Sequence, residues 1–177
     1  AANTTFTHNV SANRTFGPTG TNPWTFSTLI STSTGANTIT GTAPGAGGTI
    51  TISTAWTIGD GTNATTFNAD TNDPAITDNG TLLVANAATL TSSSSNPLTV
   101  VGNTTVTGTL TGNGSITANG SVTGAGSVTM ALGTTFTQSV GAAASFGPTG
   151  SNSWVFKTLV SQASLVGATI TGSTPGG

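Results

Sequence analysis

The sequence predicts an all-β chain wound as a parallel β-helix, and three observations carry that prediction. The first is the unit Thr-apolar-Thr, which recurs as Thr5-Phe6-Thr7, Thr38-Ile39-Thr40, Thr49-Ile50-Thr51, Thr89-Leu90-Thr91, Thr105-Val106-Thr107, Thr109-Leu110-Thr111, Thr135-Phe136-Thr137 and Thr169-Ile170-Thr171. Neighbours in a strand point to opposite faces, so the apolar residue points one way and both threonines the other. The second is a six-residue period that brings Leu110, Ile116, Val122 and Val128 into register, with Gly, Asn and Ser between them. The third is an internal repeat: Ala1–Ser31 returns as Ala131–Ser161 with 18 of 31 positions identical, and after one inserted residue the match resumes at Ile39/Ile170. The chain therefore reads as one full repeat, 1–130, followed by the start of a second copy, 131–177, which matches 1–47.

Taken in order, residues 1–31 carry Phe6, Val10, Phe16, Trp24, Phe26 and Leu29, with Gly17-Pro18 and Asn22-Pro23 marking turns. Trp24 and Phe26 alternate about Thr25, which aims both rings at one core. Residues 42–48 form a loop of Gly, Ala and Pro, and residues 49–58 alternate again through Ile50, Ile52, Trp56 and Ile58. Residues 59–80 hold all four Asp among Asn and Gly, so turns are expected there with a short strand near Phe67. Thr91–Pro97 is a polar break, and residues 98–137 are the most regular stretch. The one patch with helical character, Leu82–Ala88, is weak and flanked by Thr and Gly.

Asn-Gly at 79, 113 and 119 would ordinarily suggest hairpins. Hairpin strands of only about four residues would have almost no core, shorter than the usual 5–6. A solenoid suits the pattern better: each short strand turns at Gly, the next coil stacks upon it, and backbone hydrogen bonds run between coils. A right-handed helix is preferred. The left-handed form also uses hexapeptides, but the spacing outside 110–133 is too irregular for it. Coils of roughly 20–24 residues would give about eight turns and a rod of about 40 Å. The alternative fold is a run of β-sandwich repeats.

Composition excludes several functions. Charged residues make up 3% of the chain, the net charge is −2, and the ionic inventory is Arg14, Lys157, Asp60, Asp70, Asp73, Asp78 and His8. Two cations cannot neutralise a phosphate backbone or form a membrane-binding patch, so no nucleic acid partner is expected. No apolar run approaches the ~20 residues of a membrane span. There is no Cys, and Ala1-Ala2-Asn3 shows no signal peptide, which fits a processed chain or an excised segment. Disorder is opposed by the low charge and by the pervasive alternation.

The block Thr135-Phe-Thr-Gln-Ser139, Ser145-Phe-Gly-Pro-Thr-Gly150 and Trp154-Val-Phe156, its twin from Thr5, and the segment Trp56–Phe67 resemble the tandem repeats of large Ser/Thr/Gly-rich extracellular surface proteins, adhesin-like or filament-forming. The resemblance covers most of the chain. It implies an exported β-repeat architecture with a structural or adhesive role, and it implies no catalytic residues.

Asp60, Asp70, Asp73 and Asp78 lie within nineteen residues and are candidate ligands for Ca²⁺, which takes oxygen donors in turns. Their spacing fits neither the EF-hand loop nor the calcium-binding nonapeptide, and Asp and Asn also make turns by bonding their own backbone. Glycoside cleavage would need two carboxylates across a cleft, whereas these acids sit in turns with no Glu or Tyr to assist. No enzyme is expected, and no cofactor beyond possible calcium. His8 is alone and becomes Gln138 in the second copy, which suits an exposed position. Trp24, Phe26, Trp56, Trp154 and Phe156 could stack on sugars, but their alternation favours inward packing. Outward Thr rows could match an ice lattice, although Ser, Asn and Gly interrupt them. Eight Asn-x-Ser/Thr sequons, at Asn3, Asn9, Asn13, Asn63, Asn79, Asn103, Asn113 and Asn119, would matter only in a host that glycosylates exported proteins.

The expected function is structural: a component of an extracellular fibre, stalk or cell-surface filament built by stacking β-repeats. The alternative is an adhesin-type binding module for carbohydrate or a host surface, with ice as a further possibility. The expected partners are the chain itself, head to tail or laterally, and cell-surface glycans. With so few titrating groups, folding is expected to depend little on pH between about 5 and 10.

Overall fold

The computed structural model describes residues 3–44, 48–69 and 73–173, and among them there are twenty strands and no helix. Every strand pairing is parallel. The chain forms a parallel β-helix of about seven turns. The β-sandwich alternative, which needs antiparallel sheets, is ruled out by this pairing.

Three sides repeat along the rod. Side 1 stacks the first half of β3 (Trp24–Ser33), the first half of β5 (Thr49–Ile58), β7 (Ala75–Asp78), β10 (Leu98–Val100), β13 (Ile116–Ala118), β16 (Thr135–Val140) and β19 (Thr158–Ala163). Side 2 stacks β1 (Thr5–Val10), the second halves of β3 and β5, then β8 (Thr81–Val84), β11 (Thr104–Val106), β14 (Val122–Gly124), β17 (Ala144–Pro148) and β20 (Ile170–Gly172). Side 3 stacks β2 (Arg14–Phe16), β4 (Asn37–Gly41), β6 (Thr65–Asn68), β9 (Thr89–Ser92), β12 (Thr109–Gly112), β15 (Ser127–Met130) and β18 (Trp154–Val155). Sides 1 and 2 form one 13-stranded sheet because β3 and β5 run around the corner between them; side 3 is a separate 7-stranded sheet.

The inward residues follow the predicted parity. Ile50, Ile76, Leu98, Ile116 and Phe136 stack on side 1, Leu29, Trp56 and Leu82 on side 2, and Ile39, Phe67, Leu90, Leu110 and Val128 on side 3. All of these are buried. The six-residue period has a sharper meaning here. Leu110, Ile116 and Val122 occupy sides 3, 1 and 2 in succession, so a hexapeptide makes one side and Val128 returns to stack on Leu110. Elsewhere the corners carry extra residues, and stacked partners lie up to 28 residues apart, as Thr38 and Thr66 do.

The internal repeat is reproduced in packing but turned about the rod. β1 pairs with β3 in the register Thr5↔Thr28 to Val10↔Ser33, and β16 pairs with β19 in the register Thr135↔Thr158 to Val140↔Ala163. The first pair lies on side 2 and the second on side 1. β2 and its counterpart β17 are likewise displaced, from side 3 to side 2. With β3 and β5 each forming two sides, the run from β1 to β16 makes five turns and two further sides. Each repeat thus rises about 27 Å at ~4.8 Å per turn and rotates its features by one side. One core cluster runs from Val10 to Phe136, so packing is unbroken across residues 130 and 131.

Candidate functional site

The four aspartates do not form one site among the described residues. Asp60 is exposed at the corner after β5, where its carboxylate accepts hydrogen bonds from the backbone N–H groups of Thr62 (2.8 Å) and Asn63 (2.7 Å) and from Asn63 Nδ2 (2.8 Å). The Asn63 backbone bond, then its side-chain bond, then the Thr62 bond hold the carboxyl down at about 2. Asp73 is buried, and a Cβ on Gly41 would land on its carboxylate. Asp78 ends β7 on side 1 and points inward, with Ile52 and Val100 as its neighbours along the ladder. Its Oδ1 accepts from Gly80 N (2.9 Å), Oδ2 has no hydrogen-bond partner, and burial pushes the carboxyl up to about 6. Asp70 lies outside the described residues. Among the described residues no three His, Asp or Glu side chains come together.

His8 is not on an exposed face as its exchange for Gln138 suggested. It occupies an inward position on β1, half-buried, with its ring 4.9 Å from Phe16 in a stacked arrangement. Burial lowers its pKa. Its counterpart Gln138 is fully buried and donates from Nε2 to Gly120 O (3.0 Å) and Ser145 O (3.3 Å). The physical reason is parity: Phe6, His8 and Val10 alternate on one face, so a polar residue between two apolar ones shares their direction.

The aromatic residues form two matching clusters. Phe6, Phe16, Trp24 and Phe26 have centroid separations of 5.3 Å (Phe6–Phe26), 5.6 Å (Phe16–Trp24) and 6.3 Å (Trp24–Phe26). Phe136, Phe146, Trp154 and Phe156 give 5.3, 5.7 and 6.3 Å for the same pairs. Trp56 is buried against Phe67, edge to face at 5.1 Å. The rings therefore serve packing. They reach solvent only where the rod ends: Phe6 is 48% exposed, whereas Phe136, stacked between Ile116 and Leu159, is 0% exposed.

Side 3 carries a feature that the linear sequence hides. Its outward positions form two columns: Thr38, Thr66, Thr89, Thr109 and Ser127 in one, and Thr15, Thr40, Asn68, Thr91, Thr111 and Thr129 in the other. Rungs repeat every ~4.8 Å and the columns stand about 6.7 Å apart, as strand geometry dictates. Asn68, Ser127 and, opposite Thr129 on the last rung, Val155 depart from Thr. Sequence reading found the Thr-apolar-Thr units but could not align them, because the stacked rungs lie 28, 23, 20 and 18 residues apart. Sides 1 and 2 are less uniform: Leu83 interrupts the outward column on side 2, and only one column of side 1 is continuous Thr, from Thr25 to Thr137.

No protein-family model, no curated protein and no solved structure matches this chain.

Proposed function

We propose that this chain is a structural component of an extracellular fibre, stalk or cell-surface filament, built by stacking β-coils and working without catalysis. The observation that carries this reading is the aromatic cluster, rebuilt 130 residues later with the same ring separations on a rod whose core does not break between the copies. A repeat that regenerates its own packing and continues the same core has the logic of an array, in which each unit supports only its neighbours. A nearly uncharged exterior has little self-repulsion, which favours lateral and end-to-end contact with other copies. The Thr, Ser and Asn surface and its sequons suit an exported protein beside cell-surface glycans. Electron microscopy of the purified chain at neutral pH is expected to show long unbranched fibres. Monodisperse particles of 17.1 kDa across the accessible concentration range would sink this reading.

The two-column Thr array on side 3 favours a second reading, a binding face for a repetitive surface. The face has no charge and no aromatic ring, so among the candidates it suits ordered water better than polysaccharide, which rings would grip. Inhibition of ice recrystallisation is then expected, and it should be abolished by Thr91→Lys at the centre of the array but unaffected by Thr105→Lys on side 2. Equal ice growth with and without the wild-type chain would remove this reading and leave the structural one untouched.

A further inference from the structure

Two apolar features interrupt an exterior of Thr, Ser and Asn, and each has one of the chain's few charges beside it. The first is a knob. Leu132 is 88% exposed although coils lie on both sides of it, residues 113–115 on one and residues 156–157 on the other. Its turn is closed: Thr134 donates from N (3.3 Å) and from Oγ1 (2.7 Å) to Ala131 O, and Gly133 takes the φ of 82° at the bend. Lys157 is exposed one turn further along the same corner. The second feature is a groove of about 570 Å³ on side 2, floored by Ile30, Leu83 and Ala85. Asp60 stands on its lip one turn before Ala85, and Asn86 Nδ2 braces that lip by donating to Gly61 O (3.3 Å).

We infer that this groove receives Leu132 of a second copy lying alongside and antiparallel, with Lys157 of that copy on Asp60. The inference rests on the filament reading above and specifies its lateral contact. Charge selects the partner. Asp60 is the one exposed side-chain carboxylate among the described residues, since Asp73 and Asp78 are buried. Hydrogen bonds hold it at about 2, so it is ionised at neutral pH. Lys157 is one of only two cations in the chain. The two cannot meet within one copy, because the four rungs of side 3 from β6 to β18 separate them by about 19 Å along the rod. Spacing selects the direction. Lys157 lies one turn after Leu132, and Asp60 lies one turn before Leu83 and Ala85, so reversed rods seat both groups at once. A parallel copy with Lys157 on Asp60 would set Leu132 at the level of Ile30 and Thr32, a more polar seat.

Knob and groove occupy different parts of the surface: Leu132 turns the corner from side 3 to side 1, and the groove lies on side 2. A copy that gives its knob keeps its groove for another, so the contact is heterologous and association is open-ended. One apolar side chain and one ion pair make a small contact beside the roughly 1,200 Å² of a stable complex. Association is therefore weak, dependent on concentration and reduced by salt.

With a single lysine in the chain, zero-length carbodiimide coupling reports the contact directly. Concentrated wild-type chain at low salt is expected to yield covalent dimers in which mass spectrometry finds Lys157 joined to Asp60 of another copy. Leu132→Asp, at a site already open to solvent, should cut that yield at least tenfold while circular dichroism stays that of the parent. Asp60→Asn keeps an oxygen for Thr62 and Asn63 to donate to and removes the charge, so it should weaken association in sedimentation several-fold. Val166→Asp, on another corner and equally open to solvent, should leave association unchanged. Absence of the Asp60–Lys157 link, or equal loss with Val166→Asp, would overturn the contact. Wild-type fibres that lie side by side and become single in Leu132→Asp would support both this contact and the filament reading. Fibres that stay bundled in Leu132→Asp would refute the contact alone, and the Asp60–Lys157 link without any fibres would refute the filament reading alone.

Discussion

Trp56→Ala is expected to destabilise the chain by about 3–5 kcal/mol, the range for emptying a buried aromatic site, and to split its unfolding into two steps. Trp56 is 1% exposed on side 2, stacked along the ladder between Leu29 and Leu82. Its ring meets Phe67 edge to face, which ties side 2 to side 3 across the core, and its Nε1 donates to Ser31 Oγ at 3.3 Å. Ser31 is itself fully buried, so truncation leaves both a cavity and a hydroxyl without its donor. In a stack where each coil touches only its neighbours, cooperativity passes through every interface in series. Weakening this one uncouples the turns before β5 from those after it. Trp24 and Trp154 lie on either side of the break and remain as fluorescent reporters. Urea titration of the wild type should give coincident transitions from all probes. In Trp56→Ala the Trp24 signal should move first, with a lower m-value for each step. Trp56→Phe keeps most of the volume and loses the Ser31 bond, so about 1 kcal/mol and a single transition are expected. A single transition with unchanged slope in the alanine variant would show that the coils are not coupled in series.

The same residues show where the sequence is legible. Parity along a strand depends only on neighbours, so the inward set from Ile50 through Leu110 to Phe136 could be read from Thr-apolar-Thr units alone. The parallel stacking followed from strands too short to hold a core as hairpins. The aromatic twin was legible as a packing unit because its alternation repeats, and the ring geometry bears that out. What was not legible lies in the corners. Their lengths vary from turn to turn, so nothing periodic in the sequence announces that Thr38, Thr66 and Thr89 share a face, or that the second copy sits one side round. The polar residues inside were missed for another reason. His8, Asp78 and Gln138 hold inward parity, but turn propensity and polarity pointed the other way, and parity prevailed because their apolar neighbours on the same strand are anchored in the core.

Asp78 also changes the expectation that pH matters little between about 5 and 10. Its carboxyl is fully buried beside Ile52 and Val100, titrates at about 6 in the folded chain, and has an unfolded value near 3.8. Desolvation is the larger cause, and the bond from Gly80 N only partly opposes it. The folded state therefore binds this proton more tightly than the unfolded state does. Stability from this group is complete below pH 3.8 and is lost as pH rises through 6. The loss is about 3 kcal/mol once the group is ionised, or roughly 6–12 °C in melting temperature for a chain of this size. Asp60 does not mask the effect, because its carboxyl is held at about 2 and its contribution is lost only as pH falls below 3.8. His8 acts in the opposite sense: with its pKa lowered by burial, protonation at acid pH weakens the first turn. His8→Gln, which copies Gln138, removes that contribution. In the His8→Gln background the melting temperature should fall from pH 4 to pH 7.5, and adding Asp78→Asn should flatten the curve by raising the neutral-pH end while leaving the pH 4 end within about 0.5 kcal/mol. A melting temperature that does not change over this range in the Asp78-containing chain would mean that the carboxylate reaches solvent or a cation, and that side 1 is open at Asp78.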